Sequence, residues 1–157
     1  AFSGYASLFG VTDLGRDIVS RGAFTKSLKQ KSASRVKMLR EHDQTEPIGV
    51  WTEIVEDTKG LRVSGRLVLD TVKGRETHAL LKAGALDGLS IGYRTKSARF
   101  DKAKGIRMLD EVELHEISVV TFPMLPSATV EAVKSNGPTT FRALVDAINS
   151  ARTSINS

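Results

Sequence analysis

The segment Gly84-Ala-Leu-Asp-Gly-Leu-Ser-Ile-Gly-Tyr93 settles which architectures are open to this chain of 157 residues. A helical pattern runs up to Gly84, which suits a C-cap, Asp87-Gly88 reads as a turn, and Leu89-Ser90-Ile91 alternates as a strand. A helix leading into a strand is the reverse of the α/β-hydrolase nucleophile elbow, so the Gly-x-Ser-x-Gly pattern here is not that motif. Ser90 is expected near the start of a strand. Gly88 and Gly92 lack side chains, so the backbone of an extended peptide could approach Ser90 on that face. Taken alone, the pattern fits more simply a strand serine with glycines at a bulge.

Composition limits what Ser90 can belong to. Hydrophobic residues make up 40% and charged residues 26% of the chain, enough for one globular domain with a sizeable core. There is no cysteine, which excludes a disulfide framework, a thiolate nucleophile and a Cys-based zinc site, and makes an intracellular location natural. The apolar runs are too short for a membrane span, and no signal peptide is visible. The opening Ala1-Phe2 falls inside a strand pattern, which suggests a trimmed or processed start. A net charge of +5 favours acidic partners, but aromatic residues are only 6% and the basic residues are scattered, so no nucleic-acid platform is indicated.

Around Ser90 the chain alternates strands with a few helices. Phe2–Phe9 reads as a strand ended by Gly10, and Asp13, Gly15 and Asp17 as a loop of solvated turn residues without the ligand pattern of a calcium site. Gly22–Lys31 reads as a short helix, Ser32–Arg35 as a linker, and Val36–Leu39 as a strand running into His42 and a polar loop, Asp43–Pro47. His42 at a strand end can face a cleft, and an imidazole there suits proton transfer from a serine; a surface histidine beside Asp43 is the plainer reading. Ile48–Glu56 and Leu61–Asp70 bracket Asp57-Thr-Lys-Gly60 as a hairpin, with Trp51 in the core. Thr71–Ala83 is a capped helix, on which His78 is a solvated residue without a role. After Ser90 the strand runs to Phe100, turns at Asp101–Gly105 and returns through Ile106–Met108. Val112–Phe122 is a further strand, ended by Pro123 and Pro126, with a short one in Ala128–Val133. Ser135–Pro138 reads as a linker, and Phe141, Leu144, Val145 and Ile148 form an amphipathic stripe. The fold class expected is α+β, mainly β.

Three pieces converge: His42 at a strand end, Ser90 in Gly-Leu-Ser-Ile-Gly-Tyr, and the cluster Leu-His-Glu-Ile-Ser-Val-Val-Thr-Phe-Pro ending at Pro123. With Phe2-Ser-Gly-Tyr-Ala-Ser-Leu-Phe-Gly10, Arg21-Gly-Ala-Phe-Thr-Lys-Ser-Leu28 and Pro123-Met-Leu-Pro-Ser-Ala128, the chain resembles the prohead serine proteases of tailed phages over roughly residues 1–133. That family is distantly similar to the herpesvirus assemblins, which implies a closed antiparallel β-barrel with flanking helices. The protease domain is expected over residues 1–135, with 136–157 a linker and C-terminal amphipathic helix or tail that could pack back, bind a partner or be released by self-cleavage.

The resemblance also implies the chemistry. Ser90 matches the nucleophile and His42 the general base. Glu116 in Glu-Ile-Ser is the first choice for the third member, His115 is its rival because assemblins use a second histidine, and Glu113 is a weaker candidate. Strand alternation places His115 and Glu116 on opposite faces, so one of them points at His42. The arginine pair that assemblins carry after their third residue is missing, which leaves the oxyanion hole open between backbone N–H groups near Ser90–Gly92 and a bound water. No cofactor or metal is expected. The implied partners are the major capsid protein precursor, the scaffold protein and further copies of the chain, inside the assembling procapsid in the host cytoplasm, with the positive charge set among acidic scaffold segments. Two other readings stay open: a non-catalytic assembly protein on the same barrel, and an esterase or amidase, for which the elbow is missing.

Overall fold

In the computed structural model, which describes residues 1–134, 148–150 and 152, eight strands build one sheet. They are β1 (Phe2–Leu8), β2 (Asp17–Val19), β3 (Lys37–Arg40), β4 (Asp43–Glu56), β5 (Gly60–Leu67), β6 (Gly88–Asp101), β7 (Ile106–Val120) and β8 (Val130–Val133). Helix α1 (Thr25–Gln30) packs on β7 and β4, and α2 (Val72–Ala83) on β4 and β5. The linker and amphipathic stripe expected after Ser135 lie largely outside the described residues.

Local chemistry explains the best-defined elements. Thr71 Oγ1 accepts the Gly74 N–H at 2.9 Å, and Gly84 ends α2 at φ 73°, a left-handed conformation that glycine adopts without strain. The β4–β5 turn is held by Asp57 Oδ1, which accepts the N–H groups of Lys59 and Gly60. Trp51 is fully buried, meets Phe2 edge-on at 5.4 Å and donates its indole N–H to the Ile117 carbonyl. Truncating such a residue to alanine typically costs about 3–5 kcal/mol.

The barrel expectation needs correction. The sheet is a strongly curled, open half-barrel and is not wholly antiparallel. Along it the strands run β2-β7-β3-β4-β5-β1-β8, with β6 on the other side of β7. Both β2 and β3 lie parallel to β7. Closure would need β8 to zip against β6, but the two sides meet only at an isolated Gly88–Thr129 bridge, with Leu89 N–H donating to the Ala128 carbonyl at 2.9 Å and Val130 N–H to the Asp87 carbonyl at 2.8 Å. β8 pairs with β1 along one edge but is only four residues long, and beyond the Thr129 bridge its other edge has no ladder to β6 among the described residues. Pro123 and Pro126, which have no N–H, occupy the approach to β8.

Three further differences bear on the site. The two strands expected at Ile106–Met108 and Val112–Phe122 are one strand, β7, which ends at Val120; its polar interruption is filled by Asp110, gripped by Arg99, and Glu111, paired with Lys26. The expected polar loop at Asp43–Pro47 is instead the start of β4. The loop holding Asp13 contains β2, in which Asp17 is clasped by both Nε and Nη2 of Arg107 at 2.9 Å.

Candidate active site

His42 sits in a turn that its sequence does not favour. Arg40 pairs with Asp43 across a two-residue connection, and both central residues, Glu41 and His42, have positive φ, 53° and 58°. A type I′ hairpin demands this of both positions and normally meets it with Asn or Gly. For side-chain-bearing residues the conformation costs about 1–2 kcal/mol each, so surrounding bonds must hold it. Four do. Glu41 N–H donates to the Val119 carbonyl at 3.0 Å, and Glu41 Oε1 accepts both the N–H and the hydroxyl of Thr121. His42 N–H donates to Ser118 Oγ at 3.0 Å. The turn is thereby bolted to the end of β7, with its imidazole held over that strand.

The parallel register of β3 on β7 sets Lys37 opposite Glu116 and Leu39 opposite Ser118, while the antiparallel register of β6 sets Gly92 opposite Glu116 and Ser90 opposite Ser118. Glu116 and Ser118 share a face of β7, two residues apart. One Glu116 oxygen meets His42 Nδ1, and the other accepts the Ser118 hydroxyl at 2.7 Å. The Glu116 hydrogen bond, aided by the charges of Glu116 and Glu41, holds the His42 pKa above the ordinary 6.5 against the opposing effect of burial. With Nδ1–H given to a carboxylate, the lone pair of neutral His42 is on Nε2.

Gly92 is where this carboxylate fits. A Cβ there would stand 2.6 Å from Glu116 Cδ, and one on Gly88 would stand 2.6 Å from the Val120 carbonyl oxygen and 2.8 Å from Pro123 Cδ. The two glycines around Ser90 therefore admit the protein's own atoms. The approach of a second backbone, expected from the sequence, is not what these positions are occupied with.

Ser90 is only 6% exposed, and its hydroxyl makes no hydrogen bond with any described residue. It lines a cavity of about 180 Å³ together with His42, the end of β1, the Val11–Val19 segment, Tyr93, Met124 and Leu125. The structure thus brings Ser90, His42 and Glu116 to one region, without a Ser90–His42 hydrogen bond. It leaves the other two candidates elsewhere. The His115 side chain is 50% exposed and pairs at 3.5 Å with Glu113, which also faces Lys96. Sequence reasoning missed Ser118, which touches both His42 and Glu116. The signal was present in the two-residue spacing from Glu116, once the register to β6 is known. His78, on α2, lies outside the cavity lining.

The fold is similar to that of the bacteriophage T4 capsid assembly protease, with a TM-score of 0.59 and 16% identity over 75% of this chain and 79% of that one. It is also similar to the KSHV protease solved with a hexapeptide phosphonate inhibitor, with a TM-score of 0.57 and 10% identity over 96% and 75% of the two chains. These likenesses place the half-barrel among assemblin-like folds. In sequence, the chain is 35% identical over 136 residues to the prohead protease of Enterobacteria phage HK97, covering 85% of this chain and 60% of that protein. The chain therefore spans about three-fifths of the length of that relative. Residues 1–142 match the family described as caudovirus prohead serine protease, and to that family this chain belongs.

Proposed function

We propose that this domain is a serine endopeptidase that cleaves scaffold and capsid-precursor segments during procapsid maturation, with Ser90 as nucleophile, His42 as general base and Glu116 as the carboxylate that orients it. The observation that carries the reading is a largely buried serine whose hydroxyl has no partner among the described residues and opens into one cavity with an imidazole whose Nδ1 is held by a carboxylate. Each part has its chemical role. Ser90 Oγ adds to the peptide carbonyl carbon as His42 Nε2 takes its proton, and the same proton then passes to the leaving amine as the C–N bond breaks. Water repeats the sequence on the acyl-enzyme and frees Ser90. Glu116 stabilises the imidazolium in both halves, and Ser118 holds Glu116 and the His42 backbone in place. No metal or cofactor enters these steps.

In the same reading the chain acts within the assembling procapsid in the host cytoplasm, on the major capsid protein precursor and the scaffold, and associates with its own copies. Residues 1–135 carry the protease, and 136–157 are a linker and tail open to self-cleavage. The test is co-expression of wild type or Ser90→Ala with the cognate precursor and scaffold, followed by intact mass. Defined cuts that vanish in Ser90→Ala are expected. Shells that assemble with every partner intact in both cases would transfer the domain to the non-catalytic assembly role.

A further inference from the structure

Strand β1 carries a device that the proposed triad does not use. At its start the side chains alternate: Phe2 and Gly4 are buried, while Ser3 and Tyr5 are on the more open side. The ladder to β5 then slips. Tyr5 lies opposite Arg62 and Ser7 opposite Leu61, which leaves Ala6 as an extra residue. Such a bulge re-aims the side chain that follows it, and bulges gather beside active sites for that reason. Strict alternation would set Ser7 beside Ser3 and Tyr5. Instead Ser7 is 3% exposed and lines the cavity that contains Ser90 and His42.

The Ser7 hydroxyl makes no hydrogen bond with any described residue. Among the described residues the sealed side-chain nitrogen or oxygen without a partner is Arg40 Nε, so the Ser7 hydroxyl is not sealed but open to the cavity, where it is free to meet a partner that enters. Ser90 is in the same condition in the same cavity. Two unpaired hydroxyls converging on one space are accounted for together if what enters that space supplies both with partners. β1 also packs directly against β6, the strand of Ser90.

We propose that Ser7 is a catalytic residue in contact with substrate: its Oγ–H donates a hydrogen bond to a carbonyl oxygen of the peptide held against Ser90. This rests on the reading of Ser90 as nucleophile. If the carbonyl is the one under attack, its oxygen becomes an alkoxide as Ser90 Oγ adds to the carbon, and the Ser7 donor strengthens as that charge grows, with its own proton staying on Ser7. If the carbonyl flanks the scissile bond, the same donor sets the register of the peptide.

The experiment is steady-state cleavage of a synthetic peptide spanning a cut site mapped with the wild type, comparing wild type, Ser7→Ala and Ser7→Cys, with thermal melting of each. Ser7→Ala is expected to melt no lower than wild type while kcat/KM falls about 10- to 10³-fold. A fall confined to kcat assigns the donor to the attacked carbonyl; a rise confined to KM assigns it to a flanking one; either supports the proposal. Ser7→Cys, which keeps the shape and weakens the donor, is expected to lose rate in the same parameter, and provides the comparison if Ser7→Ala fails to fold. Unchanged kcat and KM in a folded variant would overturn the role of Ser7 while leaving Ser90 intact. A wild type without Ser90-dependent cleavage would overturn both.

Discussion

The two ends of the β6–β7 ribbon share one antiparallel ladder and differ in almost everything else. At the root, Leu89, Ser90, Ile117, Ser118 and Val119 are buried; toward the tip, Arg99 is exposed and Phe100 is 62% exposed. The same ladder pairs residues along both. What differs is the neighbour on the other side of β7. At the root that neighbour is β3, whose turn delivers His42 onto Glu116 and Ser118; near the tip it is the three-residue β2. A ladder brings residues into register, but side chains are held still by a second set of contacts. The bidentate Arg99–Asp110 pair at the tip, at 2.7 and 3.0 Å, has good geometry yet stands at the surface, where such pairs contribute about 0–1 kcal/mol. In the Ser118–Glu116–His42 chain Ser118 is fully buried and the Glu116 side chain 14% exposed, with only the His42 ring, at 42%, reaching solvent, so loss of one member strands the others.

If this contrast is right, substitutions should separate along the ribbon. Glu116→Gln is expected to lower kcat by about 10³- to 10⁴-fold on a mapped peptide. His115→Ala and Glu113→Gln, on the same strand but facing outward, should stay within about twofold. Comparable losses from all three would break the contrast. Gly92→Ala comes next: its Cβ would stand 2.6 Å from Glu116 Cδ, so the carboxylate must shift. A fall in kcat of about 10- to 10²-fold is expected, with stability lower by about 1–3 kcal/mol in denaturant titration. Wild-type rates in Gly92→Ala would mean that the position of Glu116 does not matter.

The pH dependence gives a finer test. A general base must be neutral, so kcat/KM should rise with pH through a midpoint above 6.5, because Glu116 raises the His42 pKa. In Glu116→Gln that midpoint should move down. The stability linkage has the opposite sense. A raised folded-state pKa means that the pair contributes fully below about 6.5 and fades as pH climbs through the raised value, so stability and activity move apart in that window. NMR titration of the His42 ring reads the midpoint directly, and a wild-type value at or below 6.5 would contradict the assignment. The smallest effect belongs to the tip, where Arg99→Ala should change stability by less than about 1 kcal/mol, less still at high salt, with cleavage unchanged.

Which of these features could be read from the sequence follows the range of the interaction responsible. Helix α2 was legible because Thr71 and Gly84 satisfy its ends with bonds only a few residues long. The Asp57–Gly60 turn and the placement of Ser90 at the head of a strand were legible for the same reason. The bulge at Ala6, the left-handed Glu41–His42 turn and strand β2 were not. Each is imposed by a partner distant in sequence: Leu61 and Arg62, Ser118 through Thr121, and Arg107. Alternation separated His115 from Glu116 and the resemblance put Glu116 first, but that this carboxylate meets His42 follows from β3 lying beside β7 in a register that puts Lys37 opposite Glu116.

The amino-acid order alone thus specified the alternation of most strands, the caps of α2 and the Asp57–Gly60 turn, which are consequences of local geometry and need no knowledge of the rest of the chain. The reading of Ser90, His42 and Glu116 as a site came from the motifs that resemble the prohead proteases, not from local geometry. The openness of the barrel, the parallel pairing of β3 with β7, the partnering of Ser118, and the turning of Ser7 into the cavity came from the folded molecule. Each depends on which distant backbone lies alongside, and many strand pairings are compatible with the same alternating pattern until packing selects one.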